Sequence, residues 1–404
     1  MDATVTLVFI FVYLGMILGR IPGLALDRTG VALLGAIVLL ASGRLDTEAL
    51  ANAVDLPTLA LIFGLMVVSA QFRLGGFYSW LARRLATARV SEPALLALLI
   101  AAVGAMSALL VNDVVCLAVT PVLVEGCLRR GLDPRPFLLG LACASNLGSA
   151  ATLIGNPQNM LIGQVLHLSF AGYLVDGLPP TLLGLGVLWM VLALAYGGRW
   201  RAESRPLGFE APPFNAWQTM KGAAVLAALV AGFLFTPWPR EVLALTAAGL
   251  LLTSRHMRSR HMLGMVDWQL LVLFVGLFAV NHAMESTGEP RRALAWLAGA
   301  GVDLARPLWL FPATVALSNL VSNVPAVMLL LPSASHPQAG PLLALASTLA
   351  GNLLLVGSIA NLIVAEQAGA LGVAVSWRDH ARVGVPVTLL TLALAALWLW
   401  LRGL

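Results

Sequence analysis

Residues 107–121 read SALLVNDVVCLAVTP, and residues 318–332 read SNLVSNVPAVMLLLP. The two stretches align at an offset of 211, which sets Ser107 on Ser318, Asn112 on Asn323 and Pro121 on Pro332. Each is polar at its centre, with Asn112-Asp113 in one and Ser322-Asn323 ahead of Val324-Pro325 in the other. Asn and Asp are favoured helix N-caps and proline suits an opening helical turn, so each centre starts a new helix within an apolar stretch. The apolar segments around them, 93–127 and 306–333, are the wrong length for a single membrane span of about 20 residues. Both read as re-entrant hairpins with tips at membrane depth.

The duplication extends outward. Val54-Asp55 with Leu59, Leu61, Gly64 and Leu65 recurs 212 residues later as Val266-Asp267 with Leu271, Leu273, Gly276 and Leu277. ASNLGSAATLIGNPQN from Ala144 matches ASTLAGNLLLVGSIAN from Ala346 at an offset of 202. Three matches in one order, with slowly changing offset, mark a duplicated fold.

Composition sets this duplication in a membrane. Of 404 residues, 59% are hydrophobic and 11% charged, against about 25% charged in a soluble domain, and the mean hydropathy is +0.90. Further spans are expected near 3–19, 29–43, 56–72, 136–165, 177–197, 219–236, 240–254, 267–284, 340–366 and 384–401, leaving no room for an extramembrane catalytic domain. The opening MDATVTLVFIFVYLGMILGR lacks a basic leader and a small-residue cleavage site and reads as a retained first span. Cys116, Cys127 and Cys143 lie in apolar segments without metal-ligand spacing. No basic, aromatic-interleaved run suggests a nucleic-acid partner. Eleven Trp, several at span boundaries, suit an aromatic belt.

The 24 positive residues decide the topology. If both hairpins re-enter, eighteen fall on one face and six on the other, the six being Arg44, Arg240, Arg291, Arg292, Arg306 and Arg402. If both cross, the division is equal. The positive-inside rule selects re-entrant hairpins, ten true spans and both termini outside. Five spans per half is an odd number, so the repeats are inverted. The expected architecture is an all-α membrane protein of two inverted-topology repeats, 1–198 and 218–404, joined by a polar cytoplasmic linker, 199–217. Each repeat holds five transmembrane helices, one re-entrant hairpin (93–127 or 306–333) and a broken helix at the midplane (136–165 or 340–366). GGFYSWLARRLA from Gly75 reads as an interfacial amphipathic helix.

Lys and Arg fall only at span ends or in loops, and Asp113 alone among the acids sits well inside an apolar stretch. An ionisable group at that depth is costly and a functional candidate by default. Burial disfavours its charged form while the N-terminus of the helix it opens favours it, so it is suited to load and release a proton as well as to cap. The paired tips would bring two positive helix ends near the midplane, which can hold an anion without arginine. In the third repeat, Pro157 pushes Asn156 away from helical geometry, so Gly155-Asn156-Pro157-Gln158-Asn159 breaks its helix; its mate, Gly357-Ser358-Ile359-Ala360-Asn361, lacks the proline. Ser145, Asn146, Ser347 and Thr348 supply further polar groups, and Asn159 and Asn361 beside the breaks can coordinate Na⁺ or a substrate hydroxyl. Ser149, Thr152 and Asn352 read as helix-to-helix glue, Glu125 and Glu366 as interfacial, and His256 and His261 as solvated loop residues.

NDVVCLAVTP at Asn112, SNLGSAATLIGNPQN at Ser145, SNVPAVMLLLP at Ser322 and GNLLLVGSIAN at Gly351 resemble the ion transporter superfamily, in its citrate-transporter-like and arsenite-permease/sodium–proton-antiporter branches. The likeness spans nearly the whole chain. It implies a scaffold and a transport domain, two re-entrant hairpins, homodimerisation and elevator-like alternating access. The first hairpin looks like the Asn-Asp form of the arsenite and antiporter branch. Many antiporter-branch members carry an acid in the second hairpin, where this chain has Ser322.

The expectation is a secondary active transporter of the cell (inner) membrane, moving a small organic or inorganic anion or oxyanion, carboxylate or arsenite-like, coupled to H⁺ or Na⁺. Its site would comprise Asn112, Asp113, Ser145, Asn146, Asn156, Asn159, Ser322, Asn323, Ser347, Thr348, Ser358 and Asn361. Asp113 would couple protons, and Asn112, Asn159, Asn323 and Asn361 would be available to Na⁺; no other cofactor is expected. The alternatives are a Na⁺/H⁺ antiporter and a passive anion channel. An enzyme would need a nucleophile, metal cluster or second intramembrane acid that the sequence does not offer.

Overall fold

The computed structural model describes residues 2–19, 21, 23–201, 213–254 and 257–403. Arg20, Arg205, Arg255, His256 and most of the linker lie outside the described residues. Among those described, the chain forms twenty α-helices and no β-sheet, only an isolated bridge between Leu132 and Arg201.

The first half runs α1 (Ala3–Leu18), α2 (Arg28–Ala41), α3 (Thr47–Ala53), α4 (Leu56–Leu74), α5 (Phe77–Ala86), α6 (Glu92–Leu109), α7 (Asn112–Arg129), α8 (Pro134–Ser149), α9 (Pro157–Val165) and α10 (Phe170–Tyr196). The second runs α11 (Ala216–Phe235), α12 (Arg240–Leu252), α13 (Ser259–Leu263), α14 (Trp268–Ser286), α15 (Glu289–Gly299), α16 (Pro307–Val321), α17 (Asn323–Leu330), α18 (Ala339–Ala350), α19 (Ile359–Ala370) and α20 (Trp377–Leu401). Six of them, α4, α6, α10, α11, α14 and α20, are long and apolar enough to cross a membrane, and shorter apolar helices accompany them. The protein is a multi-pass membrane protein. Each expected span and both hairpins coincide with helices; α3, α13 and α15 are additional, being too short to give an apolar signature.

The few acids largely terminate helices. Asp2, Asp27, Asp46, Asp55, Asp133 and Asp267 are N-caps whose side chains accept from first-turn N–H groups, donors that would otherwise be unsatisfied. The repeat shows in these caps: Asp55 accepts from Thr58 at 2.9 Å and its mate Asp267 from Leu270 at 3.0 Å.

Packing interleaves the halves. Helix α4 packs on α12 of the second half, and α14 packs on α2 of the first. At each crossing a glycine removes the side chain: a Cβ on Gly64 would lie 2.6 Å from the Ala244 carbonyl carbon, and one on Gly276 would lie 2.7 Å from that of Ala32. Both pairings carry the 212-residue offset. Because the obstruction is backbone, Gly276→Leu is expected to destabilise by about 3 kcal/mol, read as a lowered unfolding midpoint in detergent. Gly249→Leu, at a glycine that meets nothing within 4 Å, is the control; an unchanged midpoint for Gly276→Leu would overturn the crossing.

The hairpins are α6–α7 and α16–α17. The first turns through Leu110, in extended geometry, and Val111, and its second arm continues through Pro121 to Arg129. The second arm of the other hairpin is shorter: α17 gives way to a 3₁₀ turn, Leu331–Ser333, that contains Pro332. Its tip residue Ser322 has φ 77° and ψ 161°, a region almost confined to glycine and costly for other residues. Helix α5 is the expected amphipathic element: Tyr78, Ser79 and Ala82 are buried, whereas Arg83 and Arg84 are exposed.

Candidate functional site

The two broken helices face each other at the centre of the molecule and set up a polar network in an otherwise apolar interior. Helix α8 ends at Ser149, and α9 restarts with Asn156 as N-cap, its Oδ1 accepting from Asn159 N at 2.9 Å. Helix α18 ends at Ala350, and α19 restarts with Ser358 as N-cap after a short 3₁₀ turn, Leu355–Gly357. The second break forms without a proline. Gly357 allows it, since a Cβ there would sit 3.0 Å from Asn319 Oδ1 and 3.1 Å from the Gly351 carbonyl.

The carbonyls freed by each break are taken by the asparagine of the following half-helix. Asn159 Nδ2 donates to the Ser149 and Thr152 carbonyls at 3.3 and 3.0 Å. Asn361 Nδ2 donates to the Gly351 and Leu354 carbonyls at 2.9 and 3.4 Å. These four bonds superpose at the 202-residue offset. The breaks are then joined to one another. Asn146 Nδ2 donates to Asn361 Oδ1 at 3.1 Å, and Thr348 Oγ1 donates to Asn159 Oδ1 at 3.3 Å. Ser358 Oγ donates to Asn146 Oδ1 at 2.8 Å, and Asn156 Nδ2 to Thr348 Oγ1 at 3.2 Å. Burial demands such pairing, because an unpaired amide in this setting costs about 1–3 kcal/mol.

The hairpin tips abut this network. Asn112 N donates to the Gly155 carbonyl at 3.4 Å, Ser145 Oγ donates to the Asn112 carbonyl at 3.3 Å, and Val111 N donates to Ser69 Oγ at 3.1 Å. On the other side a Cβ on Gly351 would lie 3.3 Å from Asn323 Nδ2, and Asn319 Nδ2 bonds the Ala350 carbonyl at 3.1 Å. At each tip a buried amide oxygen, Asn112 Oδ1 and Asn323 Oδ1, has no partner among the described residues. These two orphans occupy equivalent positions in the repeat. Asp113 lies half-buried in the first turn of α7, and no hydrogen bond or ion pair engages its carboxylate among the described residues.

The structure thus brings together nine of the residues singled out from sequence, Asn112, Ser145, Asn146, Asn156, Asn159, Asn323, Thr348, Ser358 and Asn361, while Asp113 and Ser322 stand at the tips without a bond to the network. Ser347 is buried but bonds only back to the Ala344 carbonyl, at 3.4 Å, and stays outside the network. Ser149, Thr152 and Asn352 do cross-link helices as expected, and Asn352 is more central than expected: its Oδ1 accepts from Asn146 at 2.7 Å. Glu125 proves to be buried and paired with Arg129 at 2.6 Å. Sequence reasoning passed over Gln158, which donates to Thr348 at 3.3 Å, Tyr173, whose hydroxyl accepts from Asn159 and donates to the Ala150 carbonyl, and His380, whose Nε2 donates to the Asn352 carbonyl at 2.9 Å. Asn352 aligns with Ala150 and His380 stands at the foot of a long span, so neither carries a repeat signal.

Two helical hairpins closing on two broken helices form the fold of a membrane transporter, and the chain superposes over 98% of its length, and 98% of the other, on the solved YdaH transporter of Alcanivorax borkumensis, with a TM-score of 0.60 at 16% identity. The chain belongs to the citrate transporter family, whose sequence profile matches residues 10–350. It is 28% identical to the silicon efflux transporter LSI3 of Oryza sativa subsp. japonica, over 93% of this chain and 92% of the other. It is 31% identical to the inner membrane protein YbiR of Escherichia coli, over 81% and 83%, and 27% identical to a 46 kDa membrane protein of Mycobacterium leprae, over 94% of each.

Proposed function

We propose that the protein is a secondary active transporter that carries a small anion or oxyanion between its hairpin tips and helix breaks, coupled to H⁺ or Na⁺. One observation carries this reading: the paired orphan oxygens Asn112 Oδ1 and Asn323 Oδ1, beside the unpaired carboxylate of Asp113. An amide oxygen accepts only, so each orphan calls for a cation or a hydroxyl donor. The N-termini of α7 and α17 begin at the same tips and suit negative charge. A cation on the amide oxygens with an anion at the helix ends satisfies both. Among relatives, LSI3 is named for silicon efflux, and a hydroxyl-rich oxyacid would donate to the same oxygens.

The rest of the reading follows from this site. The two repeats have opposite topology, which the swapped α4–α12 and α14–α2 crossings and the mirrored asparagine contacts support. Residues 1–198 and 218–404 are the two repeats, the arginine-rich face is cytoplasmic, both termini face outward from the inner membrane, and the protein works as a homodimer. A second reading, Na⁺/H⁺ antiport, is favoured by the site's donor set, a carboxylate and acceptor oxygens without a lysine or arginine.

The test is a substrate panel in sealed proteoliposomes under a fixed proton gradient, comparing citrate, succinate, arsenite, silicate and Na⁺. Anion transport is expected as gradient-dependent accumulation of one of the first four. Collapse of the gradient by Na⁺ alone selects antiport, and passive conductance without accumulation overturns both in favour of a channel.

A further inference from the structure

The end of α9 and the start of α12 are clasped together, whereas their equivalents in the repeat, α19 and α2, are not. At the clasp, Arg240 Nη2 donates to the Gly163 carbonyl at 2.6 Å and Gln164 Nε2 donates to Glu241 Oε2 at 2.9 Å, and α9 packs on α4. Gly163 makes room for the guanidinium, since a Cβ there would lie 3.2 Å from Arg240 Nη1. The 202-residue offset turns Gly163-Gln164 into Ala365-Glu366, and the 212-residue offset turns Arg240-Glu241 into Arg28-Thr29. Helix α19 packs on α7 and α8, and among the described residues no side-chain hydrogen bond or ion pair reaches from it to α2 or α14. Arg28 bonds the Met16 carbonyl through Nε at 3.2 Å, which leaves Nη1 and Nη2 unengaged. Glu366 is exposed and makes no hydrogen bond or ion pair among the described residues.

We propose that Arg28 and Glu366 are the two halves of a second clasp, an ion pair that closes the cytoplasmic face when the outer clasp at Arg240 and Glu241 opens. The inference rests on the transporter reading and its inverted repeats, which put Arg240 on the outer face and Arg28 on the cytoplasmic one. In a transporter of inverted repeats the alternating motion rocks one bundle against the other about a fixed site. Opening one face therefore closes the other and brings the equivalent elements together there. The chemistry of the four positions is complementary at both faces, with the roles exchanged. At the outer face the carboxylate is on α12 and the amide donor on α9; at the cytoplasmic face the carboxylate is on α19, and α2 offers the guanidinium of Arg28 and the hydroxyl of Thr29. Ala365 carries the methyl that Gly163 lacks, which crowds a guanidinium away from the backbone carbonyl, and Glu366, next in the chain, supplies an acceptor in its place. A guanidinium takes a carboxylate through a two-bond fork, and Arg28 can present Nη1 and Nη2 while its Nε stays on Met16.

Distances between spin labels, measured on the full chain in lipid vesicles, test this without a substrate. Labels on Leu24→Cys and Gly369→Cys flank the cytoplasmic clasp, and labels on Val165→Cys and Val242→Cys flank the outer one; all of these positions are exposed, and the native cysteines are buried. Each label pair is expected to show a short and a long distance, in opposite proportion. Glu241→Ala, which removes the acceptor of Gln164, raises the share of the short distance between positions 24 and 369. In that background Glu366→Arg lowers the share about fivefold, the upper end for an exposed ion pair, and adding Arg28→Glu restores it. Restoration by reversed charges is a result that damage to the fold would not give. Unchanged proportions in Glu366→Arg, or no restoration by Arg28→Glu, overturn the second clasp and leave the transporter reading standing. A single distance at both label pairs, in Glu241→Ala as well, overturns the alternating motion and the clasp with it.

Discussion

Asp113→Asn reduces proton-driven flux in sealed proteoliposomes to the leak of protein-free vesicles. The substitution keeps size, shape and helix-opening character and removes only the charge and the ability to exchange a proton. Since the carboxylate makes no hydrogen bond or ion pair among the described residues, neutralising it breaks no contact, and the unfolding midpoint should hold within a degree or two. A charge at membrane depth without a counter-ion costs a few kcal/mol, so the variant could even be slightly more stable. Such a loss of drive without loss of fold separates a coupling group from a cap. Undiminished pH-driven flux in Asp113→Asn sinks the assignment.

The second large effect is a contrast between two asparagines. Asn361→Ala removes three hydrogen bonds, from Asn146 and to the Gly351 and Leu354 carbonyls, and should cost about 2 kcal/mol at the modest strength of bonds inside membranes, with flux lost alongside. Asn323→Ala deletes an amide whose oxygen has no partner, so its stability cost should be small. Instead the variant should lose any stabilisation that Na⁺ or substrate confers, which scales with ligand concentration over its dissociation constant. Thermal scans with and without Na⁺ or substrate, at about a hundredfold over its dissociation constant, where stabilisation is about 2.7 kcal/mol, read both. If Asn323→Ala retains full ligand stabilisation, the tip oxygen is not a ligand.

The architecture was legible because the sequence states it twice. Residues 107–121 and 318–332, or Gly155–Asn159 and Gly357–Asn361, are ambiguous alone and informative as pairs. What stayed hidden lacked a mate or a period. Asn352 aligns with an alanine, His380 opens a helix whose apolar run starts later, and α3, α13 and α15 are too short for hydropathy. Nor could spacing reveal which asparagines are satisfied. Asn159 and Asn361 look as available in sequence as Asn112 and Asn323, yet the first pair spends its amides on the carbonyls of the breaks and the second leaves an oxygen unclaimed. That distinction depends on contacts made between residues some two hundred positions apart.

The exchange of partners at the glycine crossings bears on how the chain is made. Because α4 rests on α12 and α14 on α2, the first half emerges from the ribosome with a bare contact face that only later sequence can cover. Each half packs helices of its own, as α6 does on α8 and α16 on α18, yet neither covers its glycine crossing alone. Biogenesis must therefore hold the early helices in an open arrangement until α12 and α14 arrive, and a chain cut at the linker would assemble only if both pieces were present in the same membrane.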